Sequence, residues 1–288
     1  MSDDESEQSE GWWEPRRLPP RKCAGPLVLA LLALACARGP TSPGPRVPPV
    51  GSVLKVLTYN VNFGLAGDRE TLAAIRDAQP DLALLEETNA GWERPLRATL
   101  SAELPHMIFE NRGGAGGLAV LSRFPLAEVE FLKPTGSGWF PACRVVVETP
   151  FGKVQALAVH LRPPVSDSGS VVGGYFTTGS VRAGEIEAFF AKLAPGFPTL
   201  VAGDFNEEAD GEVTKFLLAK GMVSALPADQ PTWRWSIGIG TIRRQLDHIM
   251  YDRRLEVVSG EVRVAGRSDH LPVVATFQLA KTWPADAR

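Results

Sequence analysis

The pattern that most limits how this chain can fold is a short apolar run that stops on an amide, a carboxylate or a histidine. It recurs along the sequence. Residues 53–59 stop at Asn60, residues 82–85 lead into Glu86 and Glu87, and His160 lies near the end of 154–161. Residues 199–202 lead into Asp204 and Asn206, residues 246–251 hold Asp247, and Asp269 and His270 precede 272–279. Short runs of this kind read as buried strands, whereas the apolar spacing of 69–79 (closed by Pro80), 181–193 and 212–219 is helical. Gly113-Gly-Ala-Gly-Gly117 feeds a strand at 118–121, and Thr149-Pro-Phe-Gly152 joins 144–148 to 154–161 as a hairpin signal. Helices recurring between strands, with hairpins among them, call for an α/β chain with mixed sheets. Two stretches, 162–180 and 226–244, read as long loops, a length that in a compact domain usually serves function.

Taken singly, each strand-end residue has an ordinary explanation. Asn60 fits a turn, Glu87 or Asp247 a cap or ion pair, and His160 a satisfied core histidine. Together they say more, because polar groups at strand ends converge on one sheet edge, where open α/β folds bind ligands. An oxygen-rich set without cysteine suits Mg²⁺ or Mn²⁺ better than zinc. Within the stretch read as folded the one thiol is Cys143, which builds no disulfide there and reads as a small buried apolar residue. Phosphoester hydrolysis needs such parts: a cation against phosphate charge, a base for water, and donors to the developing oxyanion.

The ordered motifs resemble the endonuclease/exonuclease/phosphatase superfamily. Thr58-Tyr-Asn60 resembles its opening strand, and Pro80-Asp-Leu-Ala-Leu-Leu-Glu-Glu-Thr88 is similar to its PD-apolar-LQE block, with Glu86 where Gln is usual. Gly117-Leu-Ala-Val-Leu-Ser-Arg-Phe-Pro-Leu126, His160-Leu161, Gly203-Asp-Phe-Asn206, Leu246-Asp-His-Ile249 and Ser268-Asp-His270 follow in family order. The resemblance implies a four-layered sandwich of two packed mixed β-sheets flanked by helices. It also implies that Glu87, with Asn60 and Asp269, positions Mg²⁺ or Mn²⁺. His270 would activate water or partner the transition-state phosphate, with Asp247 orienting its imidazole. Asp204 would hold the nucleophile, and Asn206 and His160 would donate to phosphate oxygens. His248 points away from that set by strand alternation and His106 carries no motif, so both read as structural or surface residues.

Net charge is −3, and the first fifty residues are charge-balanced, so the acidic excess belongs to the rest. That weakens a nucleic-acid partner, whose affinity comes largely from phosphate neutralisation. Arg162, Arg182, Arg234, Arg243 and Arg244 are cations for a phosphate, or ordinary surface charge. His160-Leu-Arg-Pro-Pro164 and Pro231-Thr-Trp233 most resemble small bacterial membrane-associated phosphatases of the teicoplanin-resistance type. The expected substrate is therefore a small or lipid-linked phosphoester; a nuclease, a sphingomyelinase-like enzyme and a catalytically dead binding lipoprotein stand as alternatives. The chain is expected to be a monomer.

The expected organisation is a leader and signal segment over 1–36, a Pro/Gly/Ser-rich tether over 37–50, the catalytic domain over 51–282 and a tail over 283–288. Arg16, Arg17, Arg21 and Lys22 precede an apolar run of about 12 residues, short of the ~20 that span a bilayer. Ala33-Leu-Ala-Cys36 resembles a bacterial lipoprotein box, which implies a lipidated Cys36 and a cell-envelope address, with simple secretion as the alternative. Cys36→Ser should then move the protein from the membrane fraction to the soluble one, because stable anchoring takes more than one acyl chain. Wild-type protein recovered free of membranes would exclude the anchor.

Overall fold

Residues alternate along the central strands between two apolar surroundings, and that alternation sets the layers. The computed structural model describes residues 52–165, 169, 177–238 and 240–281. The stretches expected to form a signal segment and a tether, part of the 162–180 stretch and residues 282–288 fall outside the described residues. The strands are β1 (Leu54–Asn60), β2 (Leu82–Thr88), β3 (His106–Glu110), β4 (Gly117–Ser122), β5 (Leu126–Leu132), β6 (Ala142–Thr149) and β7 (Gly152–His160). They continue with β8 (Thr199–Asp204), β9 (Val223–Ser224), β10 (Trp233–Ile237), β11 (Gly240–Arg244), β12 (Asp247–Tyr251), β13 (Leu255–Val262) and β14 (Val273–Leu279). The α-helices among the described residues are α1 (Arg69–Ala78), α2 (Ala90–Leu100), α3 (Gly179–Phe190) and α4 (Glu212–Ala219).

Two six-stranded sheets form, in the orders β13-β14-β1-β2-β4-β3 and β5-β6-β7-β8-β12-β9. Each has one parallel pair, β1 with β2 and β7 with β8, and antiparallel neighbours elsewhere. Parallel neighbours need a crossover; α1 follows β1 and α3 follows β7. Leu54, Val56, Leu82, Leu84, Leu118 and Val120 point from the first sheet into one core with Val145, Val147, Ala156, Ala158, Leu200, Ala202 and Ile249 of the second. The alternate residues Leu57, Tyr59, Ala83 and Leu85 pack on Ile75, Trp92 and Leu96 of α1 and α2. Leu157, Val159 and Val201 pack on Ile186, Phe189, Val213 and Leu217 of α3 and α4. The result is helix, sheet, sheet, helix. Each fully buried Leu, Ile or Val contributes about 1.5–3 kcal/mol. All three clusters lie within residues 54–279, so this stretch carries its own complete core.

The sequence left α2 unread because Pro95 sits inside it. Proline removes a donor and normally breaks a helix interior; here the buried Trp92, Leu96 and Leu100 and the Asn89 cap on Trp92 N outweigh that loss. The long loop read at 226–244 in fact contains the hairpin β10–β11, a two-stranded sheet outside both main sheets that makes one further β-bridge, from Trp233 to His270. His248 is buried, with Nε2 2.9 Å from Glu207 O, and Cys143 is fully buried, as their sequence contexts require.

Gly203, directly before Asp204, has φ +146°, and a Cβ there would lie 1.8 Å from Val159 O on the neighbouring strand. Gly203→Ala should therefore cost at least ~2 kcal/mol of stability in urea unfolding. Gly184→Ala, on an exposed turn of α3 with open space around it, should instead gain about 0.5–1 kcal/mol.

Candidate active site

The C-terminal ends of both parallel pairs open on the same side of the sandwich. They deliver Asn60 from β1, Glu86 and Glu87 from β2, His160 from β7 and Asp204 from β8. β12 runs antiparallel to β8 and starts there, setting Asp247 directly opposite Asp204. The segment before β14 is tied down by Ser268, whose hydroxyl donates to Asn60 O at 2.7 Å and accepts from His270 N at 3.1 Å. Asp269 and His270 thereby join the group.

Asp204 Oδ2 stands at its centre. Asn60 Nδ2 donates to it at 3.1 Å, and the Nε2 atoms of His160 and His270 both lie 3.6 Å away. Asp204 Oδ1 accepts from Asn206 N at 2.9 Å, while Asn206 Nδ2 donates to Leu161 O at 3.0 Å, so one of its amide hydrogens serves the backbone. His270 Nδ1 lies 3.1 and 2.9 Å from the two oxygens of Asp247. Two carboxylates facing each other across strands repel, and the His270 imidazolium between them relieves that repulsion. Burial alone would push the His270 pKa down; the Asp247 and Asp204 carboxylates overcome it and raise it to about 10. His160 goes the other way. Burial lowers it to about 4 against the pull of Asp204, so the ring is neutral at neutral pH. Its Nδ1, 3.2 Å from Ala115 O, must carry the single proton. Nε2 then bears a lone pair, and donation to a phosphate oxygen needs a second proton, which an approaching phosphate dianion draws in.

The adjacent glutamates differ. Glu86 is fully buried; Thr58 Oγ1 donates to its Oε1 at 2.9 Å, and its Oε2 has no hydrogen-bond partner. Burial, reinforced by Asp247, holds its pKa well above the usual carboxylate range. Glu87 adopts φ +59°, a conformation a non-glycine residue holds at a cost of about 1–3 kcal/mol, and turns its carboxylate into the site. Asn60 Nδ2 donates to Glu87 Oε1 at 3.0 Å and Phe63 N to Oε2 at 3.2 Å. Asp269 accepts from Asn62 Nδ2 at 3.1 Å and from Trp233 Nε1 at 2.9 Å. Glu87, Asp204, Asp247 and Asp269 thus face one imidazolium, an excess of negative charge in a buried site that a hard divalent cation fits. Glu87 with Asn60 and Asp269 offers one donor set; the buried trio Asp204, Asp247 and His270, whose ligand atoms lie within 4.8 Å of one another, could ligate a cation only with the His270 proton displaced.

Several supports escaped the sequence reading. Phe140 stacks on His160 with centroids 4.1 Å apart, and the Thr232 hydroxyl accepts from Leu246 N and Asp247 N, both at 2.9 Å. Thr232 and Trp233 belong to the Pro231-Thr-Trp233 motif, a signal that could have pointed to them; nothing local signals Phe140. Arg162 and Arg182 turn inward rather than toward a phosphate. Arg182 bonds Glu207 and Thr178, and Arg162 donates to Ser137 O and Val165 O with its guanidinium 3.5 Å from the Trp139 ring centre.

Residues 57–270 match the Endonuclease/Exonuclease/phosphatase family. The chain belongs to that family. An endonuclease/exonuclease/phosphatase from Beutenbergia cavernae DSM 12333 is similar over 80% of this chain and 72% of its own, with TM-score 0.63 and 21% identity. Truncated TDP2 from Caenorhabditis elegans is similar over 79% and 98%, with TM-score 0.60 and 18% identity. An endonuclease/exonuclease/phosphatase family protein from Leptotrichia buccalis C-1013-b is similar over 78% and 100%, at 0.58 and 15%. Identities this low show a shared fold. No curated protein matches the sequence significantly. Endonuclease/exonuclease/phosphatase proteins are typically metal-dependent hydrolases of phosphoester bonds.

The charge arrangement gives a direct test. In the chelated protein the His270 ring should titrate near pH 10 by NMR, and Asp247→Asn should bring it down toward the ordinary ~6.5. Because the folded value is the raised one, the pair's contribution to stability is complete below about pH 6.5 and is lost as pH rises through about 10. A His270 resonance titrating near neutrality in the wild type would exclude the pairing.

Proposed function

We propose that the chain is a divalent-metal-dependent phosphoesterase that cleaves a small or lipid-linked phosphomonoester, phosphodiester or pyrophosphate by in-line attack of water. The observation that carries this reading is the buried Asp204 oxygen flanked by two imidazole Nε2 atoms at 3.6 Å, with Asn60 on a third side. A carboxylate oxygen so placed can hold and orient a water beside a phosphate bound by the two rings. His270, already protonated through Asp247, donates from Nε2 to a phosphate oxygen whose charge grows in the transition state. Of the two roles open to it, phosphate partner therefore fits better than base, and the proton leaving water goes to Asp204. His160, once it has taken up a proton from solvent in response to the arriving phosphate charge, donates from the opposite side. A divalent cation held by Glu87 with Asn60 and Asp269 would neutralise phosphate charge and polarise the bond to be broken.

The acidic balance and the short sequence stretch expected to reach the envelope favour a lipid-linked or small substrate. A nuclease is the second reading, favoured by the exposed aromatic rings of Phe63 and Trp139 near the site, which suit base stacking. Turnover of undecaprenyl pyrophosphate, sphingomyelin, plasmid DNA and a chromogenic phosphodiester, compared side by side, separates these readings.

EDTA should abolish turnover and added Mg²⁺ or Mn²⁺ restore it; full activity in protein shown metal-free by mass spectrometry would exclude the metal. His270→Ala should lower kcat by at least about a hundredfold with the fold intact. Asp247→Asn should lose nearly as much, and the double mutant little more than His270→Ala, since residues acting as one unit are non-additive. Activity of His270→Ala within about threefold of wild type would overturn the assignment.

A further inference from the structure

The exposed aromatic side chains of the described residues, Phe63, Trp139 and Trp235, belong to the segments that surround the catalytic groups. Trp235 and Ile242, 54% and 37% exposed, are direct cross-strand partners in the β10–β11 hairpin and so form one continuous apolar patch. The other exposed large apolar residues, Val129, Leu218, Val258 and Val264, lie on separate elements. The hairpin hydrogen-bonds to neither main sheet. It is fastened to the site by Trp233 Nε1 and Arg234 N, which donate to Asp269, and by Arg244, which pairs with Glu208. A two-stranded ribbon outside both main sheets is by itself at best marginally stable in water, so its exposed apolar partners ask for a function.

Charge says which. Residues 233–244 contain three arginines and no acidic residue, within a chain of net charge −3. Arg234 and Arg243 are directly opposed across the strands, on the face opposite Trp235 and Ile242. Like charges so placed repel, and an anionic surface is what would relieve them. Tryptophan with an aliphatic neighbour, flanked by arginine, is the composition that settles at the boundary between headgroups and acyl chains. We infer that the β10–β11 hairpin docks the domain on an anionic lipid surface tip-first, with Trp235 and Ile242 on one face entering the headgroup–acyl boundary and Arg234 and Arg243, on the other face and one pair further from the turn, meeting lipid phosphates. An isoleucine in the patch and an otherwise acidic chain suit a bilayer better than a single-stranded nucleic acid, which would need stacking rings along a basic groove. Asp269, one residue from His270, is held by the same ribbon, so docking brings the catalytic mouth to the membrane surface. The inference does not depend on the reaction proposed above.

The test uses residues 51–288, which hold the complete core and lack the signal segment and Cys36. This domain should sediment with vesicles of phosphatidylglycerol and phosphatidylcholine and not with phosphatidylcholine alone, with a blue shift of tryptophan emission. Arg234→Gln with Arg243→Gln should weaken vesicle binding by about tenfold or more. Trp235→Ser with Ile242→Ser should do the same and remove the blue shift, while hydrolysis of a soluble chromogenic substrate and the urea midpoint stay unchanged. Wild type that ignores anionic vesicles, or variants that bind them as wild type does, would overturn the inference. Binding of a fluorescent oligothymidylate that the same substitutions abolish would overturn it too, and would give the ribbon to a single strand.

Discussion

The hydrogen bond from Asn60 to Asp204 is the shortest statement of this structure. Its two ends sit on the central strands of different sheets, 144 residues apart in sequence, and it is buried. It can form only if both sheets keep their register and their separation. A slip of one residue in β1 would send Asn60 to the helix side and Leu57 into the space between the sheets. The inward row of Leu54, Val56, Leu82 and Leu84 against Ala156, Ala158, Leu200 and Ala202 resists that slip. These side chains are buried between the sheets, so the spacing that brings amide and carboxylate to 3.1 Å is fixed by core packing below them.

From this bond the electrostatics follow. Asp204 and Asp247 oppose each other because β8 and β12 are antiparallel neighbours, and His270 is drawn between them because Ser268 pins the preceding loop to Asn60. Neither carboxylate is stabilising by itself in a buried setting. The two histidines end in opposite protonation states through their second partners, a carboxylate for His270 and a backbone carbonyl for His160. Two rings equally far from one oxygen thus differ in charge, which divides the work of donating to a phosphate and waiting for a proton.

Most of the site was legible in the sequence because it sits at strand ends, where the apolar pattern stops on a polar residue. Asn60, Glu87, His160, Asp204, Asp247 and His270 all announced themselves that way. The choice between Glu86 and Glu87 did not, since it turns on the left-handed φ of Glu87, a backbone property that two identical side chains cannot reveal. Phe140 on His160 and Ala115 O on its Nδ1 come from loops far along the chain, with no periodicity to mark them. In the fold, α2 hid behind Pro95, and β10–β11 hid because β11, exposed along its whole length, lacks the alternation between core and solvent by which strands are read.

β14 is the last strand among the described residues, yet it lies between β13 and β1, inside the first sheet, with Asp269 and His270 just ahead of it. The groups that would do the chemistry therefore come from opposite ends of the domain, Asn60 near its beginning and His270 near its end. During synthesis, a chain that still lacks residues 268–279 has a gap beside β1 and no His270 imidazole beside Asp204 and Asp247. By topology, the cluster of polar groups closes only once β14 has taken its place between β13 and β1.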